Sequence, residues 1–549
     1  MTPDASSRTI RIGLLCLFCL LFFFSGFALI PYIGIQTDEA IFSTVLFDSP
    51  NHWFALSIFK KKVPLMVMSY LGTVKSAIYW LIWMVFPPSV YSLRVPSLLI
   101  GVAGLPLFYL LLRRATDTRV ALVAAALLST DTSYILTSTL DWGPVAIQHL
   151  TFLAGAYFTV KSIQDNSLRS LAAAAFCFGV GFWDKALMVW MLSAAVVASA
   201  VVFHQEIKRN LTPRRIIVVA SFFLIGALPV VIYNVRRPLA TFRGNTSFSQ
   251  DDLRMKTIQL PRTATGAGGF GWLVAEDWSI PEPKPPQTSL ERLSVGVFHA
   301  IGQRRESFNW WALLAAVALT PFLAFSSYRR PALFTLLMLS IAWAEMLATK
   351  GAGGGTHHAV LLWPFPLLLI ALAAVWLSSK AGKWQGTILT AFCVVMCTAS
   401  LLVTNQHLAN AVQYGTTGPW TDAHFTLSRK LGELNPSKVF LIDWGMLDNT
   451  RMLHRGKLPL VVASEPLMRD TPEQQDWDLL GWFLEQPNSI FASNTDDRQV
   501  FPEVNQHLKK MAAQLGYQRI EEALIRDAHG RPAFEIFRYI KAPPVAPAP

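Results

Sequence analysis

Two adjacent carboxylates, Asp38 and Glu39, follow the first long apolar segment of the chain, in the stretch PYIGIQTDEAIFST. That segment breaks at Pro31, so the pair lies where a membrane helix would emerge from the bilayer. Charged side chains at such a place gain nothing by packing and are usually kept for function. One carboxylate could act as a general base, and the two together could hold a divalent cation, although no complete ligand set is visible. A solvated loop with incidental charge is the alternative interpretation.

Four lysines follow this pair before the next long apolar segment. Lys60, Lys61 and Lys62 form a run that could attract phosphate, either of lipid head groups or of a lipid-linked substrate. Lys75 lies inside YLGTVKSAIYWLIW, with apolar neighbours on both sides. A cation in such surroundings needs an acidic partner or a phosphate.

Two further charged residues stand at the ends of apolar segments. Asp141, in STDTSYILTSTLDWGP, could face a cavity or a basic partner, or it could cap the helix that begins near Trp142. Lys185, in GVGFWDKALMVW, could bind a substrate, or it could pair locally with the preceding Asp184. Both residues are therefore candidates with a structural alternative.

The stretch KGAGGGTHHAVLLWPFP is a candidate anion site. Its four closely spaced glycines free the backbone to point several N–H groups at one place, and Thr356 can cap a helix that begins at His357 and His358. Backbone donors, the positive helix end and two imidazoles fit phosphate. The stretch lacks the Gly-Lys-Ser/Thr ending of a Walker motif, and two adjacent histidines are a weak zinc signal.

The composition indicates which elements carry these residues. Hydrophobic residues make up 52% of 549 positions, charged residues 15%, and the mean hydropathy is +0.38, as in a polytopic α-helical membrane protein. We predict about eleven transmembrane helices within residues 1–404, near residues 11–31, 91–112, 118–138, 142–160, 170–184, 186–204, 214–234, 309–327, 331–349, 359–378 and 384–404. All five cysteines lie in these segments, so no disulfide framework or metal site is indicated.

The distribution of Lys and Arg between these segments predicts a cytoplasmic N-terminus. The same count places the loop 32–90, the loop 235–308 and everything after residue 404 on the outer face, provided that the apolar stretch from Val63 to Pro88 folds back without crossing. The net charge of +12 is mostly this inside-positive bias and does not argue for nucleic acid.

Two outer regions have their own character. The loop 235–308 shows no single regular element; Arg236 and Arg237 at its start could contact lipid phosphate or anchor a helix end. Residues 405–540 read as a small α/β domain, with strands in KVFLIDWG and NSIFAS, helices in EQQDWDLLGWFLEQ and EVNQHLKKMAAQLG, and a final hairpin. Asp443, in LIDWG, could be a functional residue or a cap. Residues 541–549 are proline-rich and expected to be disordered.

The order of these features resembles the GT-C superfamily of membrane glycosyltransferases, in particular bacterial protein O-mannosyltransferases and lipid A aminoarabinose transferases. The resemblance rests on the acidic pair, the Arg94 of YSLRVPSLLIG, the Leu-Asp that ends a span, the Gly-Phe-x-x-Lys ending at Lys185 and the glycine- and histidine-bearing outer turn. It implies that Asp38 is the catalytic carboxylate, with Glu39 its neighbour and Arg94 the arginine that enters the following span. Two departures are the missing Pro-Pro near Lys75 and the Asp184 before Lys185.

The resemblance further implies an enzyme that uses a polyprenyl-phosphate-linked sugar on the extracytoplasmic face of a bacterial plasma membrane. Asp38 would take the proton of an acceptor hydroxyl, with inversion at the anomeric carbon. The acceptor could be a lipid, a glycan or a protein. Candidates to neutralise the departing phosphate are Lys75, Arg94, Lys185, His357 and His358. The alternative function is a transporter or flippase for a lipid-linked or anionic substrate.

Overall fold

The fold of the chain was obtained as a computed structural model, which describes residues 5–47, 54–243, 252–268, 273, 282–302, 305–350, 353–416 and 418–542. Each of the eleven predicted membrane segments overlaps a helix or a pair of helices. The helices of this part are α1 (Ala5–Leu29), α2 (Thr37–Thr44), α3 (Val74–Trp83), α4 (Val90–Ala115), α5 (Thr118–Thr130), α6 (Thr132–Leu140), α7 (Val145–Gln164), α8 (Leu168–Asp184), α9 (Val189–Val202), α10 (His204–Asn210), α11 (Pro213–Gly226), α12 (Leu228–Arg236), α13 (Leu253–Thr257), α14 (Gln259–Thr265), α15 (Ser289–Ile301), α16 (Asn309–Leu323), α17 (Arg329–Ala348), α18 (Thr356–Ala359), α19 (Phe365–Ser378) and α20 (Gln385–Tyr414).

Several of these helices are long and apolar enough to cross a bilayer. Within the described residues, four satisfy length and composition alone, and the number rises to seven if each of three bent helix pairs counts as one span. The bends are 58° between α5 and α6, 99° between α9 and α10, and 74° between α11 and α12. The eleven crossings therefore remain a prediction.

The predicted span 118–138 is broken at Asp131, which separates α5 from α6. The buried Asp131 carboxylate accepts hydrogen bonds from the backbone N–H of Tyr134 (2.8 Å) and from Nδ2 of Asn309 (2.9 Å). Because the first of these bonds caps α6, the chain restarts a helix in a new direction. The redirected helix α6 ends immediately before Asp141.

The segment that precedes α4 begins with a hairpin and continues as a short helix. Strands β1 (Phe54–Ile58) and β2 (Lys61–Met66) pair antiparallel, and α3 follows. The ten residues of α3 extend about 15 Å, half of the hydrocarbon thickness of a bilayer. The stretch from Val63 to Pro88 thus holds no helix long enough to cross.

The loop 235–308, which we expected to lack regular structure, contains helices. Helices α13, α14 and α15 lie in it, and α15 packs along α20. The buried positions of α15 are Glu291, Ser294, Val295 and Phe298, which share one helical face.

A five-stranded sheet with helices on both faces forms the C-terminal region. Its elements are α21 (Ala423–Leu434), β3 (Lys438–Leu441), α22 (Leu447–Leu453), β4 (Leu460–Val462), α23 (Gln474–Glu485), β5 (Ser489–Asn494), α24 (Pro502–Gln514), β6 (Tyr517–Arg526) and β7 (Pro532–Lys541). The strand order is β4-β3-β5-β7-β6, with β3 parallel to β4 and β5, and with β7 antiparallel to β5 and β6. The predicted strands, helices and final hairpin are confirmed. The predicted proline-rich tail lies outside the described residues from position 543 onward.

Alternation along β3 explains why the sheet is covered on both faces. Val439 and Leu441 pack into one hydrophobic cluster, and Phe440 and Ile442 pack into another. Successive side chains of a strand point to opposite faces, so a continuous apolar run serves two cores. The carboxyl ends of β3 and β5 then meet at the same edge of the sheet.

Candidate active site

Asp38 lies in the first turn of α2, where its carboxylate is only half-buried. The Gln36 side chain caps this helix by accepting from the backbone N–H of Asp38 (2.6 Å) and of Glu39 (3.3 Å). Oδ2 of Asp38 accepts from Nε1 of Trp142 (3.1 Å) and from Nε2 of Gln36 (3.2 Å). Within the part of the chain that the structure describes, Oδ1 has no hydrogen-bond partner. Asp38 therefore presents one carboxylate oxygen for chemistry and uses the other to fix its orientation.

Glu39 points away from Asp38 into a buried ion pair with Arg94. Nε and Nη2 of Arg94 contact Oε1 and Oε2 of Glu39 at 2.6 and 2.8 Å. The remaining guanidinium N–H groups donate to the carbonyls of Ile30 (3.1 Å), Ile33 (2.6 Å) and Gly34 (2.7 Å). Since all donors are used and both side chains are buried, this pair fixes the loop before α2. In this geometry Arg94 has no donor for a phosphate, and Glu39 does not reach the open side of the site.

Lys75 and Asp141 form a second buried ion pair, 2.8 Å long, directly behind this loop. Nζ of Lys75 also donates to the carbonyls of Asp141 (3.3 Å) and Glu39 (3.5 Å). Asp141 in turn accepts from the backbone N–H of Ala146 (3.1 Å) and from Oγ of Ser97 (3.2 Å). Burial alone would lower the pKa of Lys75, but the Asp141 carboxylate outweighs burial and raises it. Lys75 is thus a charged lysine whose acidic partner is already in place.

Lys185 differs from these residues because its ammonium group is buried without a close acceptor. Among the described residues its Nζ makes no hydrogen bond and no ion pair within 4 Å. Burial lowers the pKa of Lys185 to about 8, although the carboxylates of Asp38, Asp184 and Asp141 oppose this shift. A Cβ on Gly143, whose φ is +67°, would lie 3.0 Å from this Nζ, so glycine leaves room for the ammonium group. Within the described part of the chain, Lys185 is therefore an uncommitted cation close enough to Asp38 to feel its charge.

His357 and His358 lie on α18, next to the aromatic ring that contacts Asp38. The His357 ring centroid is 4.1 Å from that of Trp142 and 3.9 Å from that of His358. Burial, with the neighbouring charge of Lys185, holds the pKa of both histidines well below the usual value. Nδ1 of His358 accepts from the backbone N–H of Gly353 (3.3 Å). At neutral pH both rings are uncharged, so they can donate a hydrogen bond to a phosphate but cannot neutralise its charge.

The other predicted candidates lie apart from this cluster. Arg236 and Arg237 are exposed at the end of α12, where the Arg237 guanidinium lies 6.0 Å from the Phe54 ring of the hairpin. The predicted anion site in the glycine turn is described from residue 353 onward, and Gly351 and Ala352 lie outside the described residues. The predicted cap at Thr356 is wrong, because α18 begins at Thr356 itself and its N-cap residue is Gly355, which has no side chain to cap with.

Asp443 has a structural role in the C-terminal sheet. Its carboxylate accepts from Nδ2 of Asn494 (2.7 Å) and from the backbone N–H groups of Trp444 (2.8 Å), Val500 (3.2 Å) and Phe501 (3.2 Å). These bonds join the carboxyl ends of β3 and β5 to the start of α24. Asp443 thus caps this corner of the sheet.

The C-terminal region directly contacts residues 34–44, which form the loop before α2 and α2 itself and which we name the Asp38 loop. The sequence did not predict this contact. Among the described residues, three side-chain hydrogen bonds join them, namely Thr37 Oγ1 to Gly445 O (2.9 Å), Asn449 Nδ2 to Ile35 O (3.2 Å) and Thr44 Oγ1 to the Asp448 carboxylate. The β3–α22 connection and α22 itself therefore cover α2. No local sequence signal marks these contacts, since the partners are more than 400 positions apart.

Gly34 packs against the backbone of the C-terminal region, and it gives a first prediction. Its N–H donates to the carbonyl of Trp420 (2.9 Å), and a Cβ at this position would lie 1.9 Å from the carbonyl oxygen of Thr421. We expect Gly34→Ala to destabilise the protein by about 1–3 kcal/mol, as overpacking does, because backbone atoms must shift. Thermal unfolding in detergent measures the effect. The matched control is Gly13→Ala, where no atom lies within 4 Å of the new Cβ; equal melting of both variants would contradict the prediction.

Asp38 and Glu39 do not belong to a set of metal ligands in this structure, as far as it is described. Over the described ranges no group of three or more His, Cys, Asp and Glu residues could hold a metal ion. A cation shared by Asp38 and Glu39 would have to displace the Arg94 guanidinium from Glu39.

The chain is similar to known proteins in part of its sequence and in its fold. Residues 73–233 match the family model of dolichyl-phosphate-mannose-protein mannosyltransferases. The fold is similar to that of ArnT from Cupriavidus metallidurans bound to undecaprenyl phosphate, with a TM-score of 0.55, 13% identity, and coverage of 97% of this chain and 98% of that one. The chain has the GT-C fold. The predicted resemblance in fold is thereby confirmed, as is the predicted class of a helical membrane protein with a C-terminal α/β region.

A second solved structure supports the same fold. The oligosaccharyltransferase of Archaeoglobus fulgidus, in a complex with zinc and sulfate, matches with a TM-score of 0.53 and 12% identity, and the match covers 96% of this chain and 73% of that one. No curated protein sequence matches the chain. At these identities the GT-C likeness fixes the fold, and the chemistry has to be argued from the site itself.

Proposed function

We propose that the chain is a membrane glycosyltransferase that moves a sugar from a polyprenyl-phosphate donor to an acceptor hydroxyl, with Asp38 as the base. The observation that carries this proposal is the pairing of a half-exposed carboxylate, Asp38, with an uncommitted cation, Lys185, at one place. A base and a phosphate-binding cation are the two groups that this reaction requires, because a lipid phosphate is already a good leaving group. The GT-C fold and the undecaprenyl phosphate bound to ArnT support the choice of donor.

The proposed reaction has one bond-forming and one bond-breaking event. The acceptor oxygen attacks the anomeric carbon from the face opposite the phosphate, its proton passes to the free oxygen of Asp38, and the bond from carbon to phosphate oxygen breaks with inversion. Lys185 stabilises the negative charge that grows on the departing phosphate. The neutral rings of His357 and His358 could add hydrogen bonds without adding charge.

Four further predicted residues form two buried ion pairs that support the site. The pair of Glu39 and Arg94 fixes the loop that leads into α2, and the pair of Lys75 and Asp141 supports the same loop from behind. We assign these four residues a positioning role. Trp142, which holds Oδ2 of Asp38, joins them.

The finer assignments are part of the same proposal. The site would lie on the extracytoplasmic face of a bacterial plasma membrane, with the N-terminus in the cytoplasm. Residues 1–404 would form the catalytic membrane domain and residues 405–540 an outer domain. The transferred sugar would be a hexose or a pentose, and the acceptor a lipid, a glycan or a protein.

Transfer from a panel of radiolabelled polyprenyl-phosphate sugars, in membranes that contain the full chain, tests the proposal. The expected result is movement of label to an acceptor from one donor in the panel. If no donor is consumed while labelled lipid crosses the bilayer, the function is transport and the proposal is wrong.

Lys185 gives a prediction that separates donor binding from chemistry. A hydrogen bond to a charged group is worth about 1.5–3 kcal/mol, so Lys185→Gln should weaken donor binding roughly 10- to 150-fold. Because the pKa of Lys185 is about 8, the ammonium is charged below that pH, and donor affinity should fall as the pH rises through 8. The measurement is donor KM between pH 6.5 and 9.5.

The control for this prediction is Lys457→Gln, which removes a lysine at an exposed position far along the chain. This control should keep both the wild-type KM and its pH dependence. A Lys185→Gln variant with the same pH dependence as the wild type would remove Lys185 from the donor site.

A further inference from the structure

The hairpin formed by β1 and β2 has an exposed tip that the proposed reaction does not use. Phe59, at this tip, is 96% exposed, the largest exposed fraction among the large hydrophobic side chains described. Phe59 and the next residue, Lys60, both have positive φ, at 47° and 66°, so the turn projects these side chains from a strained backbone. Lys61 and Lys62 continue the turn into β2 and are also exposed.

The base of the hairpin is fixed to helix ends. The Phe54 ring packs edge-on against Tyr233 of α12, with centroids 5.2 Å apart. Nε1 of Trp183, near the end of α8, donates to the carbonyl of Leu65 in β2 (3.0 Å). With about 3.4 Å per residue, the five residues of β1 reach about 17 Å from this base. The tip therefore lies within about 17 Å of the contacts that fix the base to α8 and α12.

The described residues of the hairpin carry charges of one sign. At the base of the hairpin, the end of α12 adds Arg236 and Arg237, both exposed. Neither the hairpin sequence FALSIFKKKVPLM nor the α12 segment LPVVIYNVRRPLA contains an Asp or Glu. We name Phe59, Lys60, Lys61 and Lys62 the basic tip patch. An aromatic side chain among lysines and arginines is the composition that binds at the surface of an anionic bilayer.

We propose that the basic tip patch docks onto the anionic phospholipid head groups of the leaflet beside α8 and α12, with Phe59 entering the interface. The lysines would contact lipid phosphate, and the ring would be removed from water. Because β2 leads through Leu71 to an isolated bridge with Lys185, the contact would also hold the outer loop against the bilayer at a fixed height. This proposal depends on the membrane fold and not on the proposed reaction.

Photo-cross-linking tests it on the full chain in nanodiscs. Benzoylphenylalanine replaces Phe59, and the nanodiscs contain phosphatidylglycerol and phosphatidylcholine in equal amounts. We expect phospholipid adducts enriched in phosphatidylglycerol by roughly fivefold, the factor that one lysine at an anionic surface supplies. The enrichment should shrink as salt is raised to 1 M, where the Debye length is about 3 Å.

Matched variants show whether the lysines cause the enrichment. Combined Lys60→Gln, Lys61→Gln and Lys62→Gln should return the adducts to the bulk lipid ratio, whereas the three Lys→Arg changes should keep the enrichment. As position controls, the probe at Phe24 of α1, which is 61% exposed, should label lipid without selectivity, and the probe at Val500 should not label lipid.

Three results would overturn the proposal. These are the absence of lipid adducts at position 59, adducts in the bulk lipid ratio, and adducts that appear only when polyprenyl phosphate is added. The last result would assign the patch to the donor instead of to the bilayer.

Discussion

Asp38→Asn should lower the rate of sugar transfer about 10²- to 10⁴-fold while donor binding stays unchanged. The amide cannot accept the proton of the acceptor hydroxyl, but its oxygen can still accept the hydrogen bonds from Trp142 and Gln36. The loop should therefore keep its conformation. The measurement is single-turnover transfer at saturating donor, together with the donor dissociation constant.

The matched control is Asp478→Asn, the same chemical change at an exposed position in α23. It should transfer sugar at the wild-type rate. Transfer by Asp38→Asn at a comparable rate would show that another group is the base, and Asp141 would be tested next. A loss of donor binding in Asp38→Asn would instead indicate that the substitution disturbs the site.

Arg94→Ala should destabilise the protein by about 3–5 kcal/mol, because it leaves the Glu39 carboxylate buried without a partner. The variant also leaves the carbonyls of Ile30, Ile33 and Gly34 without their donor. We expect a large drop in the melting temperature in detergent and the loss of activity with it. The surface pair of Arg114 and Asp165 supplies the control, since Arg114→Ala should cost at most about 1 kcal/mol.

A double variant distinguishes the buried charge from other effects of the substitution. Arg94→Met combined with Glu39→Leu removes both charges, so it should melt at a higher temperature than either single change. If the double variant is still inactive although it is folded, the pair is needed to orient the loop and not only to stabilise it. If Arg94→Ala melts like the wild type, the assignment of this pair as the support of the loop is wrong.

The sequence carried most of the information about the helices, because each membrane segment is a continuous apolar run. The sequence also identified Glu39, Arg94, Lys75 and Asp141 as candidate site residues. It did not show that these four pair with each other, since Glu39 and Arg94 are 55 positions apart and Lys75 and Asp141 are 66 apart. Spacing along a chain does not encode contacts between different helices, and only the packed structure distinguishes a paired lysine such as Lys75 from an uncommitted one such as Lys185.

Two other features were beyond sequence reasoning for different reasons. Trp142 looked like an ordinary aromatic residue at a span end, and its contact with Asp38 depends on the break at Asp131 that redirects α6. Helix α22 has seven residues, too few to show a helical period, yet it covers the Asp38 loop. The sequence therefore did not predict the parts of the site that depend on short helices or on changes of chain direction.

The contact between the Asp38 loop and α22 also has a consequence for the biogenesis of the protein. Asn449 leaves the ribosome 414 residues after Ile35 of the loop. At about 5–20 residues per second, this interval lasts about 20–80 s. The proposed base thus acquires its final surroundings only after α22 has been synthesised. A nascent or truncated chain would lack the covering helix, which delays activity until assembly is complete.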